Sequence, residues 1–187
     1  MKKGFSLLLF IAFFTVSKAQ IQDRTNAFLF GAGLGMSDGN NLMGNGTSIS
    51  VAYMRSFKYN RLSFKPELNI GFYGARFITD VPDMYFNSIN IDFNFHFDAI
   101  RYKGVSLSLV AGPAINQKKG LIGTGGWPAS ENSEYSRSSD FVFKFGGGIK
   151  IMPPGQKIIV ELMPMNFRVG KDYFMEACAM IYLGYIL

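Results

Sequence analysis

The sequence predicts an all-β fold: an eight-stranded antiparallel transmembrane β-barrel, an up-and-down meander preceded by a cleaved signal peptide. Three observations predict it. In the stretch Asn87–Asp98, Ser88, Asn90, Asp92, Asn94, His96 and Asp98 fall on one strand face, and Ile89, Ile91, Phe93, Phe95 and Phe97 fall on the other. A period of two over this length belongs to an extended strand about 35 Å long at ~3.4 Å per residue, enough for a tilted bilayer crossing. A sandwich core would reject the acids on its polar face unless they were paired, whereas a polar barrel interior accepts them. Seven further blocks repeat the alternation, and the connections after the first six blocks alternate long and short, the seventh being shorter than the other long ones. That rhythm is expected of an even-stranded barrel with both termini and its short turns in the periplasm and its longer loops outside.

The chain opens with Lys2 and Lys3, an apolar run from Gly4 to Val16, and Ser17-Lys18-Ala19. This is the order of a secretory signal peptide, and the run is shorter than the roughly 20 residues of a helical span. Cleavage after Ala19 divides the chain into a signal peptide, 1–19, and one barrel domain, 20–187. Lys2, Lys3 and Lys18 leave with the leader, so the formal charge falls from +6 to +3 (6 − 3). No Lys/Arg cluster longer than Lys118-Lys119 remains to support a nucleic-acid partner. Cys178 is the one cysteine, which excludes an intrachain disulfide.

In chain order, Ala27–Met36 sets Phe28, Phe30, Ala32, Leu34 and Met36 against Leu29, Gly31, Gly33 and Gly35, where the glycines leave interior room for side chains from elsewhere. Ser37–Gly46 reads as a loop. Thr47–Phe57 turns Ser48, Ser50, Ala52, Met54 and Ser56 inward, and Arg61–Gly74 turns Ser63, Lys65, Glu67, Asn69 and Gly71 inward. Pro66 lies on the outer face and predicts a lost ladder bond at a bulge. Ala75–Met84 is a second longer loop and Ile100–Lys103 a short turn. Gly104–Ile115 carries Ser106, Ser108, Val110 and Gly112 inward. Asn116–Ser138, rich in Gly, Ser and Asn, reads as a long external loop. Asp140–Ile151 presents Asp140, Lys144 and Lys150 to the interior. After the MPPG turn at Met152–Gly155, Gln156–Phe167 presents Lys157, Glu161, Met163 and Met165, and Tyr173–Leu187 presents Glu176, Cys178, Met180 and Tyr182. Arg168–Asp172 reads as the connection before that last strand.

The interior polar network expected from these faces comprises Lys65, Glu67, Asp92, His96, Asp98, Lys144, Lys150, Glu161 and Glu176. An eight-stranded interior is just wide enough to be filled by side chains. A packed plug is therefore expected, with Lys65 paired to Glu67 or Asp92 and Lys144 paired to Glu161 across the MPPG hairpin. His96 invites a Ser-His-acid reading, but its inner-face place between Asn94 and Asp98 favours a structural role. The loop acids Asp80, Asp83, Glu131 and Glu134 lack a calcium-loop spacing, and Cys178 has no ligand partners in sequence. No catalytic residue, metal site or cofactor is expected. Aromatics near strand ends, among them Tyr53, Tyr85, Tyr102 and Tyr185, suit interfacial girdles; Trp127 either joins them or packs down the long loop. An exported lipocalin-like barrel would need an apolar cup, opposite to these faces.

The leader ending SKAQ, the early FGAGLG, the later FKFGGGIKI and the closing MIYLGYIL resemble the outer membrane protein beta-barrel domain family common in Bacteroidota, related in form to the PorT-like proteins. The resemblance implies an outer-membrane location, insertion by the barrel assembly machinery, and surroundings of outer-membrane lipid and lipopolysaccharide. It also implies no assigned catalytic residue, and a structural or protein-interaction role in the envelope. The alternatives are a narrow channel or a transport and secretion accessory barrel.

Overall fold

The computed structural model describes residues 26–38, 44–57, 61–74, 85–124, 132–171 and 175–187. Eight strands run through them: β1 Asn26–Asp38, β2 Gly44–Ser56, β3 Leu62–Gly74, β4 Tyr85–Tyr102, β5 Val105–Thr124, β6 Asn132–Ile151, β7 Ile158–Gly170 and β8 Met175–Ile186. Each strand pairs antiparallel with its sequence neighbour, and β8 returns to β1, from Ala27 opposite Ile186 to Asp38 opposite Met175. Closure removes the two sheet edges that a hydrocarbon environment would penalise.

The register fixes the shape. Paired residues traced laterally from Tyr135 run through Leu121, Tyr85, Gly74, Asn45, Met36, Ala177 and Phe167 and return to β6 at Phe145, a stagger of ten residues (145 − 135). Ten residues at ~3.4 Å set against eight strands at ~4.8 Å tilt the strands by about 40°. The lumen is accordingly narrow enough for side chains from opposite walls to meet.

Polarity runs from a charged inside to an apolar outside. Phe30, Leu34, Val51, Phe93, Phe95, Leu109, Phe143, Ile181 and Leu183 are all exposed on the outer wall. From Met36, Phe72 and Phe141 down to Ile100 and Leu187, this apolar wall is about 25 Å tall at the derived tilt, the height of a hydrocarbon core. Lys65, Glu67, Asp92, Asp98, Lys118, Lys144, Lys150, Glu161, Arg168 and Glu176 are all buried inside. An apolar cup of the lipocalin kind is excluded.

Both described chain ends and the short turns share one end of the ring: Leu187 N–H donates to Asn26 O at 2.9 Å and Met152 N–H to Gly104 O at 2.6 Å. The β4–β5 turn is the two residues Lys103 and Gly104 with φ of 45° and 85°, the all-positive geometry that suits a right-twisted hairpin.

Four expectations need correction. Asn116–Ser138 is largely strand: β5 and β6 pair without interruption from Val105 opposite Ile151 to Thr124 opposite Asn132. Here the outer face leaves the lipid and turns polar as well, so the apolar half of the alternation fades and polar composition imitates a loop. Pro66 makes no bulge. Ala52 opposite Glu67 and Arg55 opposite Phe64 keep one register, with only the rungs between them missing, because Pro66 cannot donate one of their hydrogen bonds. Register shifts lie instead in β4, between Asp98 and Ile100 against β5, and in β7, between Met163 and Asn166 against β8 and at the matching height against β6. Pro164 and Met165 are both exposed there, which turns Met165 out and brings Asn166 and Arg168 in. Lys157 is exposed in the turn before β7 and lies over the Tyr185 ring at 5.7 Å rather than in the lumen.

Candidate functional site

Strand alternation gathers the interior charges and the small stagger per strand interleaves them at different heights, so partners come from facing walls. Glu67 on β3 accepts from Ser50 Oγ at 2.8 Å, Tyr182 Oη at 2.8 Å, Asn94 Nδ2 at 3.2 Å and Lys144 Nζ at 3.0 Å. Lys144 also donates to Asp92 at 2.8 Å. Arg168 forks across Asp92, with Nε to Oδ1 at 3.1 Å and Nη2 to Oδ2 at 2.7 Å, and its Nη1 reaches Glu176 at 2.6 Å. A planar guanidinium suits this two-carboxylate bridge as a lysine would not. Ser88 and Asn90 also donate to Glu176 at 3.0 and 3.2 Å, and the Cys178 thiol donates to it at 3.8 Å.

Below this centre Lys65 donates to Glu161 Oε2 at 2.6 Å while its ammonium sits 3.7 Å from the Tyr182 ring centroid. Lower still, Asp98 takes Lys150 at 2.7 Å, Arg101 at 2.8 Å and Ser108 at 2.7 Å. Five buried cations (Lys65, Lys118, Lys144, Lys150, Arg168) face five buried acids (Glu67, Asp92, Asp98, Glu161, Glu176), a formal net of zero (5 − 5). Neutrality and close hydrogen bonding are what allow so many charges to leave water.

Apolar and aromatic layers adjoin the plug. Toward the long-hairpin end, Tyr73 stacks on Phe86 with centroids 5.2 Å apart, and Lys118 Nζ lies 5.4 Å from the Phe86 ring. Toward the termini, Ala27, Leu29, Met54, Ile159 and Met152 pack as an apolar cluster.

All nine residues of the expected interior network are buried, but their pairing differs from expectation. Lys65 takes Glu161 from the facing wall instead of Glu67 or Asp92, because across so narrow a lumen the opposite strand is closer than a same-face neighbour two residues along. Lys144 does not pair with Glu161. The β6–β7 turn is centred farther along the chain than MPPG alone implies, so Lys150 stands opposite Glu161 and Lys144 opposite Arg168. Asp140 is only half-buried, on the part of β6 that extends past the end of β7.

Arg168, Lys118, Asn116 and Asn166 were missed as interior groups, the first behind the β7 bulge and the next two inside the supposed loop. Pro164 within an otherwise strand-like run was the available signal of a bulge. His96 is buried with both ring nitrogens lacking a hydrogen-bond partner among the described residues, as do Asn94 Oδ1 and Glu161 Oε1. No serine and acid are arranged with it for acyl chemistry, and no three His, Cys, Asp or Glu side chains converge on a metal position among the described residues. Cys178 is a buried free thiol near the Tyr73 hydroxyl at 3.6 Å. Asp80, Asp83, Trp127, Glu131 and the leader lie outside the described residues.

No protein-family model matches this chain, and no curated protein matches it. Among solved structures, it is similar to Neisserial surface protein A, with a TM-score of 0.66 at 10% identity over 88% of this chain and 99% of that one. It is also similar to Ail, the attachment invasion locus protein of Yersinia pestis, with a TM-score of 0.60 at 14% identity over 89% of this chain and 100% of that one. Ail in complex with the heparin analogue sucrose octasulfate matches at 0.57 and 13%. At such identities the likeness is one of fold. An eight-stranded closed ring with a lipid-compatible wall and a charged core is the outer-membrane type of β-barrel, and the outer membrane is where this chain resides.

Proposed function

We propose that this barrel is a non-catalytic structural or protein-interaction element of the cell envelope. The observation that carries this reading is the β5–β6 hairpin. Strand β6 loses its β7 neighbour above Val142, while its pairing with β5 continues to Asn132. The free stretch rises about 20 Å past the apolar wall at the derived tilt. Among the described residues this edge of β6 has no neighbouring strand, which leaves its backbone groups for an added strand of a partner. The surface and attachment names of the two similar structures are in keeping with an outward contact role. On this reading residues 1–19 are a cleaved leader, residues 20–187 are inserted by the barrel assembly machinery, and lipid and lipopolysaccharide surround the wall. A kinship with PorT-like barrels of Bacteroidota belongs to the same proposal.

The test is a photo-crosslinking residue placed at the exposed Tyr135 or Ser139 in intact cells. A discrete protein adduct supports the reading, and adducts to lipid alone overturn it. A narrow channel is the second reading, favoured by His96, Asn94 and Glu161, whose unpartnered polar atoms call for water inside the barrel. Stable conductance of the folded monomer in planar bilayers would put that reading first.

A further inference from the structure

The outer wall carries two features that the interior plug and the projecting hairpin leave unused. One is a groove of about 580 Å³ where β8 passes between β7 and β1. Its lining runs from Met165 and Phe167 on β7, over the small Ala177 and Ala179 on β8, past Leu34 and Met36 on β1 and as far as Thr47 on β2. This lining stands within the apolar wall, in the half toward the long hairpin. The groove is an indentation in a surface that hydrocarbon covers.

The other feature is a set of cations just above that wall. Lys119 and Arg137 stand directly opposite each other in the β5–β6 ladder, both exposed, and Lys171 is exposed one residue past the end of β7. Like charges placed face to face in a ladder repel. No Asp or Glu occupies the outward positions of β5, β6 or β7 among the described residues. At the derived tilt the three cations lie about 5 to 10 Å above the apolar row of Ile115, Phe141 and Val169 and below the row of Tyr85, Leu121 and Tyr135, a depth at which aromatic rings and headgroups meet. Lys171 is directly above the β7 side of the groove.

We propose that this face of the barrel binds a phosphorylated, multi-acyl lipid of the outer leaflet, with its phosphates on Lys119, Arg137 and Lys171 and one acyl chain along Ala177 and Ala179. The proposal rests on the outer-membrane reading of the fold and adds a specific site to it. Two phosphates separated by a sugar-sized spacer match cations spread over three adjacent strands. An acyl chain fills a trough that large side chains on either side cannot close. A zwitterionic two-chain lipid would satisfy the trough and leave the cations uncompensated.

The experiment is native mass spectrometry of the full chain, folded in detergent micelles and mixed with bisphosphorylated lipid A, with its phosphate-free analogue, or with the deacylated disaccharide bisphosphate. Retention of the bisphosphorylated lipid is expected to exceed that of the phosphate-free lipid by about tenfold, given the attraction of each cation near a surface. Lys119→Gln, Arg137→Gln and Lys171→Gln together should abolish that preference. Ala179→Phe should weaken retention of both acylated lipids. All four substitutions are on the outer surface, and heat-dependent gel migration reports folding separately. Equal retention of the two lipids by the unaltered chain, or displacement of the bound lipid by the deacylated disaccharide, overturns the proposal. A chain that folds without a heat-dependent shift and stays out of vesicles would instead overturn the membrane reading itself.

Discussion

Gly31 lies against the flat of Tyr182: a β-carbon at position 31 would stand 2.6 Å from ring atoms Cδ1 and Cε1. The ring cannot retreat freely, because its hydroxyl donates to Glu67 at 2.8 Å and the Lys65 ammonium covers its face. Gly31→Ala is expected to destabilise the barrel by about 1 to 3 kcal/mol through overpacking. Urea unfolding in lipid vesicles measures it, and Tyr182→Leu in the same chain should relieve part of the loss. No loss from Gly31→Ala would mean that the ring is not held there.

The Lys65–Glu161 pair is buried on both sides, at 2.6 Å. Lys65→Met or Glu161→Gln alone should cost about 3 to 5 kcal/mol, since each leaves a charge without its partner, and the double variant should recover a large part. A double-mutant cycle checks this. The same cycle on Lys144 and Glu161, which share no hydrogen bond, should return a smaller interaction. The reverse ranking would contradict the packing of the plug.

Arg168 joins Asp92 to Glu176 across the middle of the lumen. Arg168→Ala removes the largest of the fully buried side chains and leaves two acids to draw in water. Wild-type monomer in planar bilayers is expected to show little current, and the variant a clear, cation-preferring increase. Equal currents would mean that the plug does not limit passage.

His96→Leu distinguishes an orphaned imidazole from a hydrated one. If both ring nitrogens are without partners, an apolar side chain of similar volume should leave stability within about 1 kcal/mol of wild type or raise it. A loss beyond that, measured by the same unfolding assay, would show that water bridges the ring to Glu161 or Asn94.

Where one face meets lipid and the other meets charge, the sequence spells out the strand. Asn87–Asp98 is the clearest case, and every one of its even residues from Ser88 to Asp98 is buried. That contrast is lost where the outer face no longer meets lipid. Gln117, Lys119, Arg137 and Ser139 stand on the wetted outer side of a hairpin, so their strands carry no apolar period there. The β7 bulge was hidden for another reason. Met163, Pro164 and Met165 are all apolar, and one extra residue among them reverses the parity of everything after it. Beyond Pro164, the resumed alternation of Asn166 and Arg168 against Phe167 and Val169 marks the flip. Ion-pair partners were the least legible of all, since the faces of eight strands say which charges are inside and the register says which of them meet.

The closing contact of β1 with β8 has a counterpart in the distribution of charge. Among the fully buried charges, β1–β4 hold Lys65 against Glu67, Asp92 and Asp98, a sum of −2 (1 − 3), while β5–β8 hold Lys118, Lys144, Lys150 and Arg168 against Glu161 and Glu176, a sum of +2 (4 − 2). Five of the ion pairs join the two halves: Lys65–Glu161, Lys144–Glu67, Lys144–Asp92, Lys150–Asp98 and Arg168–Asp92. Separate chains cut at the Lys103–Gly104 turn should therefore assemble into a barrel when mixed in micelles, and neither should yield a heat-shifting species alone. Each half is the counterion of the other, so the chain selects its own remainder over a second copy of either half.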